Sequence, residues 1–393
     1  IVWPAANCFD VNLKAFTNAK TERNKAKRAG NTGVGNTIPY VIYDDANNLP
    51  QNKITILGNP TLEEIETIMI GVRNRNNHDP EGASGEIWVN ELRLSEFNED
   101  GGVAAMANAS LGISDIAQVN LTGHLETAGY GGIESNVQGR NMEDMYQFAV
   151  SAALEAGRLF PEQAKLQIPL YVSYSNNTTS PKYDPLDTDI ELKETLETYE
   201  NKDDRDSIKR ASNTVTTSTS FSITNLKVDI HSKKKNMFYD PANFSISASY
   251  NKQTQRTPEL EKDQTTDHKG SFNYSYNFNP KPWEPFKKVE KVKKVKFTSI
   301  YPKAGQMLAS MFESASEFNI YYLPQSWAFS TNMHRTFSEL KMRNFNAIDA
   351  GESSNNNTEL SFSKDFTWDR NFDFKYDLTK NMKFIFQTAM NST

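Results

Sequence analysis

Cysteine, histidine, long apolar runs and a leader pattern are scarce or missing in this chain. The single cysteine, Cys8, cannot support an intramolecular disulfide framework and leaves one lone thiol. There are five histidines, and His78 has no second histidine or cysteine at metal-ligand spacing, so no metal site is expected. No run of about 18 apolar residues occurs, which removes the transmembrane helix. Ile1 to Asp10 lacks a basic segment followed by an apolar core. That reads as no signal peptide, and hence as an internal piece or a processed chain. A net charge of −6 argues against nucleic acid as a partner.

What is present is aromatic and polar at once. The chain has 44 Phe, Trp and Tyr among 393 residues, yet its mean hydropathy is −0.65. The stretch from Ser271 to Asn279 explains how both hold: an aromatic stands at every even position and Ser or Asn at every odd one. Period two makes a strand with a greasy face and a small, wet face. The alternation runs for about the ten residues that a tilted strand needs to cross a bilayer. Phe272, Tyr274, Tyr276 and Phe278 are expected to face lipid, with Asn273, Ser275 and Asn277 facing a lumen. Phe244 and Ile246 alternate with Ser245, Ser247 and Ser249 in the same way, and Asn120, Thr122 and Ser173 are assigned to the lumen on the same pattern.

The sequence predicts an all-β protein in two parts. Residues 1–98 read as a jelly-roll-like β-sandwich portion with short strands around Phe16 and over 40–43, 53–57, 68–72 and 86–94. Residues 99–393 read as antiparallel transmembrane β-barrel strands with long loops at 176–213, 251–269, 280–298 and 343–357. Within the first part, Gly30 to Thr37 has the glycine spacing of a phosphate loop, but Asn36 stands where the lysine belongs, so a plain loop is the reading. Asp44-Asp45 and Glu63-Glu64 are adjacent on strands and point to opposite faces, so neither pair can act on one substrate atom. His78 sits in a turn. Trp88 and Tyr43 are residue types that stack on sugars, which keeps a surface adhesin or glycan-binding sandwich as the alternative.

In the second part, rows of alternating residues begin at Val103. A short turn is expected at Ser114-Asp115, and Pro169 implies a bulge or a locally unpaired position. Between Asn176 and Asn213, Leu192, Leu196 and Tyr199 predict an amphipathic helix. Asp184, Asp187 and Asp189 lack the glycine and terminal glutamate of a calcium loop, so they read as solvated. The apolar positions of Val215 to Ile230 change register near Thr224-Asn225, which predicts a β-bulge. The basic run from Lys287 to Lys296 reads as solvated loop charge. A strand is expected through Phe318, Ile320 and Tyr322. Tyr174 and Tyr250 are expected at a membrane interface. No Ser-His pair and no convergent carboxylates appear, so no catalytic residues and no cofactor are assigned.

Four segments carry a family resemblance. Gly85 to Ser95 (GEIWVNELRLS), Leu166 to Ser175 (LQIPLYVSYS), Tyr322 to Thr331 (YLPQSWAFST) and the pair Trp368-Asp-Arg with Phe374 to Lys380 resemble the SprA/Sov family. Those proteins are outer-membrane translocons of the type IX secretion system of Bacteroidota and are linked to gliding motility. The resemblance implies a section of a very large barrel in the cell outer membrane with loops at the surface. It also implies the partners: secreted cargo with a C-terminal sorting domain, a plug protein and a small shuttle barrel. The roughly dozen strands here are too few for such a pore.

Overall fold

In the computed structural model the described residues are 8, 10–43, 53–71, 84, 86–136, 139–230, 237–285, 319–343 and 358–393. The expectations for Asp44-Asp45, His78, Phe318, the basic run from Lys287 and almost all of the 343–357 loop lie outside them.

The fold is all-β. Its body is one antiparallel sheet of eleven strands: β3 (Ala104–Ile113), β4 (Ala117–Glu126), β5 (Glu143–Glu155), β6 (Leu166–Gln167), β7 (Pro169–Pro181), β8 (Thr214–Val228), β9 (Phe244–Arg256), β10 (Leu260–Asn277), β11 (Ser326–Met342), β12 (Ser361–Asp377) and β13 (Lys383–Ser392). Apart from short β6, which pairs with β8, each strand lies beside its sequence neighbours in a continuous meander. Each connection is therefore local, and the strand order follows from chain order alone.

The punctuation is as the residues require. β3 and β4 meet in a three-residue turn at 114–116, where Ser114 takes a left-handed φ of 44°. Pro169 opens β7, at the strand position where its missing N–H matters least. Just before it, the Ile168 N–H is taken by the Glu155 side chain instead of the ladder, at 3.1 Å. The bulge sits where the sequence places it. Pairing of β8 with β9 slips between Ile223 and Leu226, and Asn225 adopts a φ of 57°.

The amino-terminal portion differs from expectation. Phe16 lies in a helix, α1 (Lys14–Arg28), instead of a strand. Ala, Lys, Arg and Glu are good helix formers, and Gly30 with φ 72° follows the helix end. β1 (Tyr40–Tyr43) and β2 (Lys53–Ile56) form an isolated two-stranded ribbon. The strands expected at 68–72 and 86–94 are not formed among the described residues: 65–71 and 86–98 run without ladder partners. An extended segment becomes a strand only when a neighbour accepts its backbone groups. Among the described residues of 1–98 there is therefore a helix and a ribbon, not a layered sandwich.

Two loop boundaries also move. β7 continues to Pro181, so the acidic connection is 182–213, with helices α2 (Leu192–Glu197) and α3 (Lys202–Ser212) inside it. The 251–269 loop is not a loop: β9 and β10 run through it and join by a tight turn at 257–259. The segment at Ile320 and Tyr322 makes one isolated bridge to Trp283 and no strand. It serves as a clasp, since Tyr321 N–H donates to Leu378 O at 3.1 Å and the Tyr376 hydroxyl donates to Tyr321 O at 2.8 Å.

Candidate functional site

The candidate site is a sheet with two unlike faces, and pairing register decides which residues share a face. Phe244 lies opposite Tyr274, which lies opposite Phe329, and that residue opposite Phe372. Ile246 faces Phe272, and Tyr276 faces Trp327 and through it Phe374 and Phe386. Aromatic contacts knit this face together across β9–β13, with ring centroids 4.9 Å apart for Phe244 and Tyr274 and 5.9 Å for Tyr274 and Trp327. Trp327 to Phe372 is also 5.9 Å, and Phe372 to Phe386 is 6.4 Å. Phe278 lies just past the end of β10 and packs edge-on against Tyr276 at 4.6 Å. The same face continues through Phe221, Val172, Ala152 and Val119 to Leu111. Among the described residues no second layer covers it, and Ile246 stays 47% exposed.

The opposite face is small and polar. Asn120, Ser151, Ser173, Ser220 and Asn251 follow one another across five strands. Ser245 lies opposite Asn273, Ser247 opposite Ser271, and Ser249 opposite Ser222. Thr122, Ser275 and Asn277 belong to this face by the same register. The Ser110 hydroxyl donates to Asn120 at 2.8 Å. Ser247 does more than line the surface, because its Oγ accepts the Asn225 N–H at 2.8 Å and so holds the bulge.

Sequence reading missed the acidic part of this face. Asp365, Asp369 and Asp373 of β12 share it with Asp267 of β10. Their spacing of four on a period-two strand was the available signal. Asp267 Oδ1 accepts from the Thr336 hydroxyl at 2.7 Å and lies 3.1 Å from His334 Nε2. Thr336 Oγ1 and His334 Nε2 also lie 3.1 Å apart, so the three side chains close a triangle in which the Thr336 hydroxyl proton goes to the Asp267 carboxylate. Among the described residues no group of three potential metal ligands is found.

The acidic turn between β7 and β8 is the second feature, and it is not solvated as expected. Lys20 of α1 is only 3% exposed; its Nζ lies 2.7 Å from Asp189 and 3.2 Å from Asp187. Asn24 donates to Asp187 at 2.8 Å, and Arg23, 2% exposed, binds Gly58 O and Asn59. Arg28 stacks over Tyr199 at 4.5 Å. An internal ammonium thus sits where the sequence left room for a cation. Burial pushes the Asp184 carboxyl above its ordinary value, opposed mainly by the Leu186 N–H that it accepts.

The apolar zone does not stay level across the ladder. A row from Val150, mid-zone in β5, passes through Tyr174, Thr219, Lys252, Thr266 and Phe337 to Lys364 in β12. The aromatic centre of β12, around Phe374, lies ten residues further on, toward the end bearing the 114–116 turn. β8 to β12 correspondingly extend as polar strands toward the opposite end, where the helices sit.

A long antiparallel meander with one aromatic and one polar face is the architecture of which β-barrel walls are made, and no described helix is long and apolar enough to cross a membrane. A family model described as motility related/secretion protein matches residues 1–196. The chain belongs to that family, the SprA/Sov proteins. None of the curated proteins matches it.

Proposed function

We propose that the sheet is a section of the wall of an outer-membrane protein-conducting channel, the translocon of a type IX secretion system linked to gliding motility. The aromatic face meets lipid and the Ser/Asn face borders the path of folded cargo. The slide of the apolar zone carries this reading. Ten residues over six strand steps is ~5 Å of offset for each ~4.8 Å of strand spacing, so strands crossing a level apolar layer lean by roughly 45°. Barrel strands in membranes lean by about that much. Tyr146, Tyr250 and Trp368 then border the zone toward the helix end, as an aromatic belt does. Small neutral groups give passing proteins neither an apolar patch nor a strong field to stick to. Cargo with a C-terminal sorting domain, a plug protein and a small shuttle barrel are the partners proposed. β3 and β13 have no further partner among the described residues. Open edges are not tolerated in lipid, so other strands complete the wall.

The test is cysteine scanning of β10 in the full-length protein with Cys8 replaced by Ser. A membrane-impermeant maleimide should label single cysteines at Asn273, Ser275 and Asn277 and spare those at Phe272, Tyr274 and Tyr276. The reverse pattern would overturn the assignment of faces. A glycan-binding adhesin is the second reading, favoured by Trp88 and Tyr43 at 69% and 60% exposure. It requires release of the protein into buffer without detergent.

A further inference from the structure

We infer that the aromatic face of β9–β12 carries a binding site for the anionic phosphate headgroups of membrane lipid, built as a basic collar where the aromatic zone ends toward the helices. This rests on the membrane-wall reading above. Charge is sorted by face across these four strands. The aromatic face holds Lys252, Arg256, Lys262, Arg335, Lys341, Lys364 and Arg370 against Glu339 and, at the Leu260/Lys262 register shift, Glu261, which pairs with Lys341. The polar face of the same strands holds Asp263, Asp267, Asp365, Asp369, Asp373 and Asp377 against Lys269 and Lys375. In a chain of net charge −6, solvation alone would not send the cations to one side.

Three of these cations line up with His268: His268 lies directly opposite Arg335, while Lys252 is diagonal to His268 and Lys364 diagonal to Arg335, so the row crosses β9, β10, β11 and β12 without a gap. Directly opposite and diagonal pairs on one face stand ~5 to 8 Å apart, which suits one phosphorylated headgroup bridged by two or three side chains. Glu339 is already bound to Lys262, and Lys341 to Glu261. Among the described residues Lys252, Arg335, Lys364 and Arg370 have no carboxylate within ion-pair distance. Lys364 rests instead over Phe337 and Phe362 at 5.7 and 5.6 Å, and Arg370 over Trp368 at 4.1 Å. Aromatic rings holding the stems of cations at the edge of an apolar zone match an amphiphile, with acyl chains on the rings and phosphate on the charges.

The experiment reconstitutes the full-length protein into phosphatidylcholine nanodiscs doped with fluorescent lipid A and compares it with a K252Q/R335Q/K364Q variant. At about fivefold per cation near a charged lipid surface, and with two or three of these cations on one headgroup, lipid A binding should weaken by roughly 25- to 125-fold. Lys269→Gln, which removes a cation from the same strands on the other face, should leave it unchanged. Millimolar inorganic phosphate should not displace the lipid. If the protein inserts but the triple variant binds lipid A as the parent does, or if free phosphate displaces it, the collar is refuted while the wall stands. Failure of the parent to insert at all refutes the wall and the collar with it.

Discussion

At the scale of single residues, the buried polar groups make the sharpest predictions. Asp184 has a raised carboxyl pKa because it is buried. Its contribution to stability is therefore present below the ordinary value of 3.8 and lost as pH rises through the folded value. Asp184→Asn keeps the acceptor for Leu186 N–H and should raise the melting temperature near neutral pH, with the gain shrinking as the buffer is acidified toward pH 4. A gain that persisted at pH 3 would contradict the assignment. Lys20→Met leaves Asp187 and Asp189 without their cation and should cost ~3 kcal/mol locally, seen as faster proteolysis of 182–213. Adding Asp189→Asn should recover part of it. Ser247→Ala removes the acceptor of the bulge amide and should cost ~1 kcal/mol, whereas Ser245→Ala and Ser249→Ala should be near neutral in the same chemical denaturation. The bulge itself was legible, because the apolar register of Phe221 and Ile223 against Leu226 and Val228 breaks in the sequence. The hydroxyl that holds it was not, since Ser247 looks like every other serine on that face.

At the scale of elements, a period-two pattern could be read wherever one face was apolar and vanished where both faces were polar. That is why 251–269 read as a loop: beyond Tyr250 and His268 both sides of β9 and β10 are Lys, Gln, Thr and Asp, although the ladder runs on unbroken. α1 escaped for a related reason, because the side it buries is Ala19, Lys20 and Arg23, which gives no hydrophobic stripe. The absence of a second layer over Ile246 leads to a test by magnitude. Lipid flows into the space left by a shortened side chain and a close-packed core does not, so Ile246→Ala should cost only a small transfer term, well under the ~2–5 kcal/mol of a core site. Ile246→Arg should cost ~2–4 kcal/mol if the position is near the bilayer centre. Refolding of the full-length protein in lipid would measure both, and an Ala value in the core range would overturn the lipid-facing assignment.

At the scale of the whole molecule, meander topology puts the 182–213 connection and the 257–259 turn at the same end of the sheet. The polar extension of β8–β12 at that end suits the outside of the cell, so tags inserted between α2 and α3 and at Pro258 should both be detected on intact cells. Detection of one alone would break the strand count between them. The grip of α1 on that connection has a mechanical side as well. α1 holds the loop between β7 and β8, not the strands themselves, so a pull on the chain ahead of Lys14 is delivered to both strands along their length. β7 and β8 are then drawn together past β5 and β9, and the load falls in shear on long antiparallel ladders. Many hydrogen bonds must fail at once in that geometry, whereas peeling an edge strand breaks them one at a time. α1 is thus tethered where the sheet is loaded along its ladders and not across an edge.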